Sequence, residues 1–151
     1  IYKNNTFGVF KRPNDRAIQV FHKNIKKLDT QHIYTLKIKQ IDDYYGNKQI
    51  SDFEIINQNP TSIEIKNSFL DGTKIDLFDE KFQGEIITNL QGKVGKKYFY
   101  FDDKQIQIYF KKGVSKPKKN TTILIYSSVL SKFKSKTQLT IYSNDNFTII
   151  D

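Results

Sequence analysis

The sequence predicts a mainly β (α+β) fold, in the form of a partly open five-stranded barrel with a flanking N-terminal helix. Three observations carry this prediction: a helical periodicity near the start, an alternation of period two from His32 onward, and turn residues at short intervals after it. Short alternating strands with close turns are also typical of a β-sandwich, which is the alternative architecture.

The N-terminal helix is predicted over residues 15–29. Ile18, Phe21, Ile25 and Leu28 recur at spacings of three, four and three, which places them on one helical face. Lysines and a histidine on the opposite face complete an amphipathic pattern. The sequence therefore predicts a helix that packs against a sheet.

After the helix we expect a single β-barrel domain, residues 32–151, with residues 1–31 as its N-terminal extension. Apolar and polar residues alternate in the strands, and clusters of Gly, Asn, Asp and Pro mark the turns between them. The predicted strands run from His32 to a turn at Tyr44, and then over 49–57, 62–67, 74–78, 96–101, 105–111, 121–130, 137–143 and 147–150. A weaker periodicity predicts a short helix within residues 79–91.

Positive charge is concentrated in residues 93–136. This segment holds twelve lysines against two acids, Asp102 and Asp103, for a sum of +10, whereas the rest of the chain sums to −1. Eight aromatic residues are interleaved with these lysines: Tyr98, Phe99, Tyr100, Phe101, Tyr109, Phe110, Tyr126 and Phe133. Because ammonium groups attract phosphates and flat rings stack on bases, the segment predicts single-stranded nucleic acid as a partner. In the alternative interpretation the rings fill a core and the lysines line a solvated edge.

Composition limits the kinds of chemistry that the chain can perform. Only Arg12 and Arg16 of the 25 basic residues are arginines, so we expect diffuse phosphate contacts rather than bidentate recognition of guanine. The absence of cysteine excludes a disulfide framework, a thiol nucleophile and a thiolate metal site. No apolar run approaches the roughly 20 residues that span a bilayer, so we expect no integral membrane segment.

Enzymatic activity has little support in the sequence. Asp52 followed by Glu64-Ile65-Lys66 has the spacing of a nuclease metal site, but such triplets arise by chance in a chain with 23 lysines. His22 and His32 lack a third ligand at metal spacing, and we expect both to be exposed to solvent. The prediction is a non-enzymatic protein without a cofactor or metal ion.

The C-terminal segment TTILIYSSVLSKFKSKTQLTIYSNDNFTIID resembles the last two strands of oligonucleotide-binding domains in telomere end-binding and protection-of-telomeres proteins. The resemblance covers only this C-terminal stretch: a strand, a basic-aromatic loop and a returning strand. It implies an oligonucleotide-binding barrel, in which ligands cross the second and third strands and contact the loops after the first and fourth strands. It also implies a subunit of a telomere or replication complex, with further protein subunits as partners.

The expected binding residues lie in three loops, where rings and lysines occur together. They are Tyr44, Tyr45 and Lys48 after the first barrel strand, Lys112, Lys116, Lys118 and Lys119 in the basic loop, and Phe133, Lys134 and Lys136 in the loop of the resemblance.

The hairpin with Tyr98, Phe99, Tyr100 and Phe101 ranks behind these loops. Side chains of a strand alternate between its two faces, so at least two of the four rings must point into the core. The same alternation between faces applies to Tyr109 and Phe110, and the sequence does not decide which of these two rings faces solvent.

Two other functions remain open at this point. The first is an extracytoplasmic β-domain of an adhesin, a pilus or an envelope-assembly protein, which would make the chain periplasmic or extracellular; the nucleic-acid function would make it nuclear or cytoplasmic. The second is an oligonucleotide-binding-type scaffold that contacts proteins through its edge strands. Because the chain opens at Ile1 without a methionine, we also expect it to be a fragment of a longer protein.

Overall fold

The computed structural model describes residues 2–4 and 6–150, and it is mainly β. These residues contain four short 3-10 helices and no α-helix. The strands are β1 (Tyr2–Lys3), β2 (Phe7–Phe10), β3 (Ile18–Phe21), β4 (His32–Tyr44), β5 (Asn47–Pro60), β6 (Leu70–Asp71), β7 (Ile86–Thr88), β8 (Leu90–Val94), β9 (Tyr98–Phe101), β10 (Lys104–Phe110), β11 (Thr122–Ile125), β12 (Ser128–Phe133), β13 (Lys136–Ile141) and β14 (Phe147–Ile150). The 3-10 helices are Lys23–Lys27, Ile65–Ser68, Glu80–Phe82 and Asn144–Asn146.

The chain divides into two compact units, Ile1–Ser68 and Phe69–Asp151. Each unit has its own sheet and its own buried core. The predicted division at residue 31 falls inside the first unit, and those domain boundaries stay a prediction.

The first unit contains a five-stranded sheet in the order β1-β2-β3-β5-β4. All neighbours are antiparallel except β3 and β5, which are parallel. A small core forms between the sheet and the 3-10 helix Lys23–Lys27, with Val20, Ile25, Leu28 and Phe53 among its buried side chains. The hairpin of β4 and β5 is long, so much of it extends beyond this core.

The second unit contains a nine-stranded sheet in the order β14-β11-β8-β9-β10-β13-β12-β7-β6. The pairs β10–β13 and β6–β7 are parallel, and the other neighbours are antiparallel. Its core is larger than that of the first unit and contains Phe99, Phe101 and many isoleucines and leucines. Successive side chains of a strand point to opposite faces. The apolar side chains of β8, β9 and β10 therefore point into this core, and the polar side chains between them point to the opposite face.

The two sheets share one pattern of strand order. Numbered from β8, and with β11, which pairs on the other side of β8, left out of the count, the central strands of the second unit run first, second, third, fifth and fourth, with a parallel pair between the third and fifth strands. The sheet of the first unit has the same order and the same parallel pair. In the second unit β7 adds to the fourth strand, β12, and is joined to β8 through the single residue Asn89.

The predicted N-terminal helix over residues 15–29 is wrong. Ile18–Phe21 forms β3, and only one 3-10 turn, Lys23–Lys27, follows it. Ile18 and Phe21 are exposed, whereas Gln19 and Val20 between them are buried. Pairing with β2 and β5 satisfies the backbone here, and residues of high β propensity follow that tertiary context instead of their helical spacing.

Four other predicted elements also differ from the structure. The short helix within 79–91 is a 3-10 turn followed by β7 and β8, the strand at 74–78 is a series of turns, and 62–67 ends in a 3-10 helix. The long strand 121–130 is broken at Tyr126 and Ser127, because both backbone N–H groups donate to the carbonyl oxygen of Asn146. The remaining strands are confirmed with shifts of a few residues at their ends.

The architecture is confirmed as mainly β with two sheets, and the barrel is not confirmed, since no closed barrel is present among residues 2–4 and 6–150. A β-sandwich shares one core between two sheets, whereas each sheet here has a core of its own. Within the same described ranges, no helix is long and apolar enough to cross a membrane.

Candidate nucleic-acid interface

In the first unit, the predicted residues Tyr44, Tyr45 and Lys48 lie at the tip of the β4–β5 hairpin. Tyr45 and Gly46 form its two-residue turn, with φ angles of 54° and 90°. The two tyrosine rings meet edge to face, with 4.6 Å between their centroids, and both are exposed. The tip is held by the Asp43 carboxylate, which accepts a hydrogen bond of 2.7 Å from the Gly46 N–H.

In the second unit, Phe133, Lys134 and Lys136 lie at the tip of the β12–β13 hairpin. Lys134 and Ser135 form its two-residue turn, with φ angles of 50° and 64°. The Lys134 ammonium lies 5.6 Å from the centroid of the exposed Phe133 ring. This tip therefore presents a ring and a cation together, as predicted for a phosphate and base contact.

Both tips join the fourth strand of their sheet to the fifth. Each has a non-glycine residue in the left-handed region, where glycine or asparagine is the usual choice. Such turns carry backbone strain of about 1–2 kcal/mol per residue, because the Cβ atom crowds the following carbonyl oxygen. Strained tips with exposed rings thus occur in both units, and their role in binding stays a prediction.

The basic loop joins β10 to β11 and carries Lys112, Lys116, Lys118 and Lys119, all exposed. Its backbone is tied to the β8–β9 turn: the Asn120 N–H donates to the Val94 carbonyl at 2.7 Å. The Lys116 ammonium donates to the Lys96 carbonyl at 2.6 Å. Lys116 is thus brought next to Lys96 at the β8–β9 turn.

The hairpin of β9 and β10 alternates rings between its two faces. Phe99 and Phe101 are buried in the core, whereas Tyr98 is half-buried and Tyr100 is exposed on the outer face. The expectation that at least two of these four rings point inward is confirmed. Tyr109 also faces outward, so the tyrosines carry the outer surface and the phenylalanines the core.

Outward side chains of neighbouring strands lie in register on this face. Lys93 of β8 lies opposite Tyr100 of β9, which lies opposite Gln105 of β10. In the next row Tyr98 lies opposite Gln107. Directly opposite side chains have Cβ atoms about 5 Å apart, so an ammonium, a ring and an amide adjoin one another on one surface.

A close backbone approach holds the Tyr100 ring in position. A Cβ atom on Gly95 would lie 2.6 Å from Cε2 of Tyr100 and 3.0 Å from the carbonyl oxygen of Tyr98. Only glycine leaves room for the ring here. The Gly95 N–H also donates to the Tyr98 carbonyl at 2.7 Å, which closes the turn before β9. Tyr100 therefore packs against the Gly95 backbone while 46% of the residue stays exposed.

Cation–π contacts occur beside the C-terminal end of β10. The Lys111 ammonium lies 5.7 Å from the centroid of Tyr109 and 5.4 Å from that of Tyr142. The Lys116 ammonium lies 6.0 Å from the centroid of Phe110. Rings that hold a lysine in place reduce the entropy that it loses when it binds an anion.

Four acidic groups of the second unit are bound to partners outside β8, β9 and β10 or lie in the turn between β9 and β10. Lys132 forms an ion pair with Glu80, and this ammonium lowers the pKa of the Glu80 carboxyl group. Asp71 accepts hydrogen bonds from the hydroxyl and the backbone N–H of Thr73, which lower its pKa to about 2. Asp102 and Asp103 occupy the β9–β10 turn, at the opposite end of β9 from Lys96 and Lys97. Charge along β9 therefore changes from positive to negative.

The predicted site residues are divided between the two units, three at the tip of the first and seven in the second. The sequence did not select Lys93, Tyr98, Tyr100 and Tyr109, which share one outer face with the basic loop at its end. The available signal was the strict alternation of Tyr and Phe in Tyr98-Phe99-Tyr100-Phe101, because the more polar ring of each pair faces water.

The residues considered for catalysis or metal binding have local partners. Glu64 and Lys66 form an ion pair of 2.8 Å. The prediction that His22 and His32 are exposed is wrong, because both are half-buried; Nδ1 of His22 accepts a hydrogen bond from the Asn24 N–H. Within residues 2–4 and 6–150 no group of three or more His, Cys, Asp or Glu side chains could hold a metal ion.

Comparison with known proteins gives distant structural likeness only. No family model matches the chain, and no curated protein matches it. One solved structure, described as "Structural mimicry for functional antagonism", has a TM-score of 0.39 and 17% identity, over 96% of this chain and 80% of its own. Another, described as "Crystal structure of p204 HINb domain", has a TM-score of 0.34 and 14% identity, over 92% of this chain and 82% of its own. Likeness at this level assigns neither a family nor a ligand.

Proposed function

We propose that this protein binds single-stranded nucleic acid, without catalysis, on the outer face of β8, β9 and β10. The observation that carries the proposal is the register of Lys93 with Tyr100, next to the row that contains Tyr98. Tyr98 and Tyr100 are two residues apart on one strand, or about 6.6 Å. Two bases of an extended strand can each stack on one ring, while Lys93 contacts the phosphate between them.

The strand order supports an oligonucleotide-binding-type topology in each unit. That fold has the order first, second, third, fifth, fourth with a parallel pair between the third and fifth strands, which both sheets share. Its ligands cross the second and third strands, which are β9 and β10 in the second unit. The hairpin tip with Phe133 and Lys134 is then the loop between the fourth and fifth strands and flanks the same ligand.

The chemistry of the face favours unpaired bases and weak sequence preference. Duplex bases are stacked on each other and offer no free ring face to a tyrosine, whereas single strands do. Every base has such a face, and lysine contacts phosphate as a point charge, so neither group selects one base. This behaviour suits a subunit of a replication complex, which must hold single strands of varied sequence with other proteins, and the C-terminal resemblance extends the proposal to a telomere complex.

A titration with a fluorescently labelled oligonucleotide tests the proposal. We expect the anisotropy to report binding at low salt, and the logarithm of the affinity to fall linearly with the logarithm of salt concentration. Tyr100→Ala should weaken binding roughly tenfold or more, since a stacked base contributes about 1–3 kcal/mol. Tyr126→Ala is the matched control, because Tyr126 in the same unit is equally exposed, at 47% against 46% for Tyr100.

The proposal fails if no oligonucleotide binds at low salt, or if Tyr100→Ala and Tyr126→Ala bind alike. A labelled hairpin duplex of the same length serves as the second control. Tighter binding of the duplex than of the single strand would also contradict the proposal that bases stack on Tyr98 and Tyr100.

A further inference from the structure

The edge strand β4 of the first unit is a large exposed feature that nucleic-acid binding does not use. It has thirteen residues, it is the end strand of its sheet, and it pairs only with β5 among the described strands. Ile38 and Ile41 on it are exposed, at 45% and 59%, and Tyr44 is exposed at 58%. A long edge with exposed apolar side chains and free backbone groups is a template for pairing with another strand.

The register of the hairpin tells which backbone groups of β4 are available. Tyr44 pairs with Asn47 across the two-residue turn, and pairing stays regular through Asp43, Asp42 and Ile41. Hydrogen-bonded and non-hydrogen-bonded pairs alternate along an antiparallel ladder, starting from the hydrogen-bonded pair beside the turn. The N–H and C=O groups of Asp43 and Ile41 therefore point away from β5, toward the open edge.

An irregularity in the ladder limits the regular edge on its N-terminal side. Ile38 pairs with Phe53, Gln40 with Asp52 and Ile41 with Ile50, so the register shifts once on each side of Gln40. The two shifts cancel, because three residue steps separate Ile38 from Ile41 and also Phe53 from Ile50. Positions along β4 can therefore be counted one by one across the irregularity, and the Lys39 ammonium on this stretch lies 3.4 Å from the Glu54 carboxylate.

The charges along β4 are complementary to a second copy of β4 in one antiparallel register. Two-fold pairing centred on Ile41 places Ile41 opposite Ile41 of the second copy, Asp43 opposite Lys39 of that copy, and Tyr44 opposite its Ile38. Centring on Lys39 or on Asp42 would place like charges face to face, and centring on Gln40 would place Ile38 opposite a carboxylate. The register on Ile41 is the one that joins apolar to apolar and acid to base.

We infer that the first unit forms a homodimer through antiparallel pairing of two β4 strands about Ile41. The regular stretch from Ile41 to Tyr44 is short, so the buried area falls in the class of small, weak interfaces, below about 1,200 Å². Dimer formation then depends on protein concentration and is independent of nucleic acid. It would give an assembly with two nucleic-acid faces.

Cysteine cross-linking tests the register directly, because the chain has no cysteine of its own. Across a hydrogen-bonded antiparallel pair the Cα atoms are about 5.5 Å apart, which a disulfide can span. Ile41→Cys should therefore form a disulfide-linked dimer on mild oxidation, detected by non-reducing gel electrophoresis. Ile56→Cys is the matched control, since Ile56 lies on the same hairpin and is 58% exposed.

Sedimentation velocity over a range of concentrations supplies the second measurement. The unmodified chain should shift with concentration toward twice its mass of 17.8 kDa, and Ile41→Lys should remain monomeric because it places two ammonium groups on the axis. Ile56→Lys should still dimerise. A chain that stays monomeric at every concentration, or equal cross-linking of the two cysteine variants, overturns the inference.

Discussion

The two units have the same strand order and different surfaces. In the second unit the outer face of the second and third strands carries Tyr98, Tyr100 and Tyr109 with lysines at one end. In the first unit the third strand exposes Ile18 and Phe21. Ile18 and Phe21 are three residues apart and so lie on opposite faces of their strand, whereas the three tyrosines share one face. One strand order therefore carries different exposed side chains in the two units, so function follows those side chains rather than the strand order.

The cores differ as well. The second unit buries a large cluster around Phe99 and Leu139, whereas the first buries a small cluster around Ile25 and Ile50. Stability from apolar burial grows with the buried area, so the second unit should be the more stable of the two. Its rigid core also holds the outer tyrosines in fixed positions, which favours a binding face there.

Removing the Phe99 ring should produce the largest effect, and it tests whether the two units have separate cores. Phe99 is fully buried in the core of the second unit. Phe99→Ala should lower the free energy of unfolding by about 3–5 kcal/mol, because it removes apolar contacts and leaves a cavity. Hydrogen exchange measured by mass spectrometry should speed up in peptides of residues 69–151 and stay unchanged in peptides of residues 1–68. Equal acceleration in both would contradict the separate cores.

Removing ring pairs from each unit should separate their roles. Tyr98→Ala with Tyr100→Ala should weaken oligonucleotide binding by roughly tenfold to a hundredfold per ring, because each stacked base contributes about 1–3 kcal/mol. Tyr44→Ala with Tyr45→Ala at the tip of the first unit should have a smaller effect. Anisotropy titrations at fixed salt measure both variants, with circular dichroism as a check of folding. A larger loss from the tip variant would move the main site to the first unit.

Single lysine substitutions should sharpen the comparison through the salt dependence of binding. Lys93→Gln removes an ammonium from the proposed path of the phosphates, so the slope of log affinity against log salt should fall by about 0.7 for a single strand. Lys48→Gln in the first unit should leave that slope nearly unchanged if the second unit carries the main site. The measurement is the same titration repeated at four or five salt concentrations.

The smallest effect concerns the acid stability of the second unit. Hydrogen bonds from Thr73 lower the pKa of Asp71 to about 2, below its ordinary value of 3.8. A carboxyl group with a lowered folded-state pKa stabilises the fold fully above its ordinary pKa, and that contribution is lost as the pH falls through about 2. Asp71→Asn should therefore reduce the dependence of stability on pH between about pH 4 and pH 2. Urea denaturation at several pH values measures it, and an unchanged pH dependence would contradict the assignment.

Much of the fold could be predicted from the sequence because period two is a local property. The alternation from His32 predicted β4. The residues Tyr98-Phe99-Tyr100-Phe101 predicted β9 with two inward rings, and Asp102-Asp103 predicted the turn after it. The predicted helix failed because the spacing of Ile18, Phe21, Ile25 and Leu28 fits a helix, whereas pairing partners distant in sequence select a strand. Nothing local to these residues contains that information.

The sequence by itself determined a basic, cysteine-free, β-rich chain whose positive charge and rings are concentrated in residues 93–136, since these are properties of residue types and their spacing. Only the tertiary structure decided that the chain has two units, that β3 and β5 pair in parallel, and that Lys93, Tyr100 and Gln105 adjoin one another. Strand pairing depends on backbone hydrogen bonds between residues far apart in the chain, and a shift of one residue would turn every side chain to the opposite face.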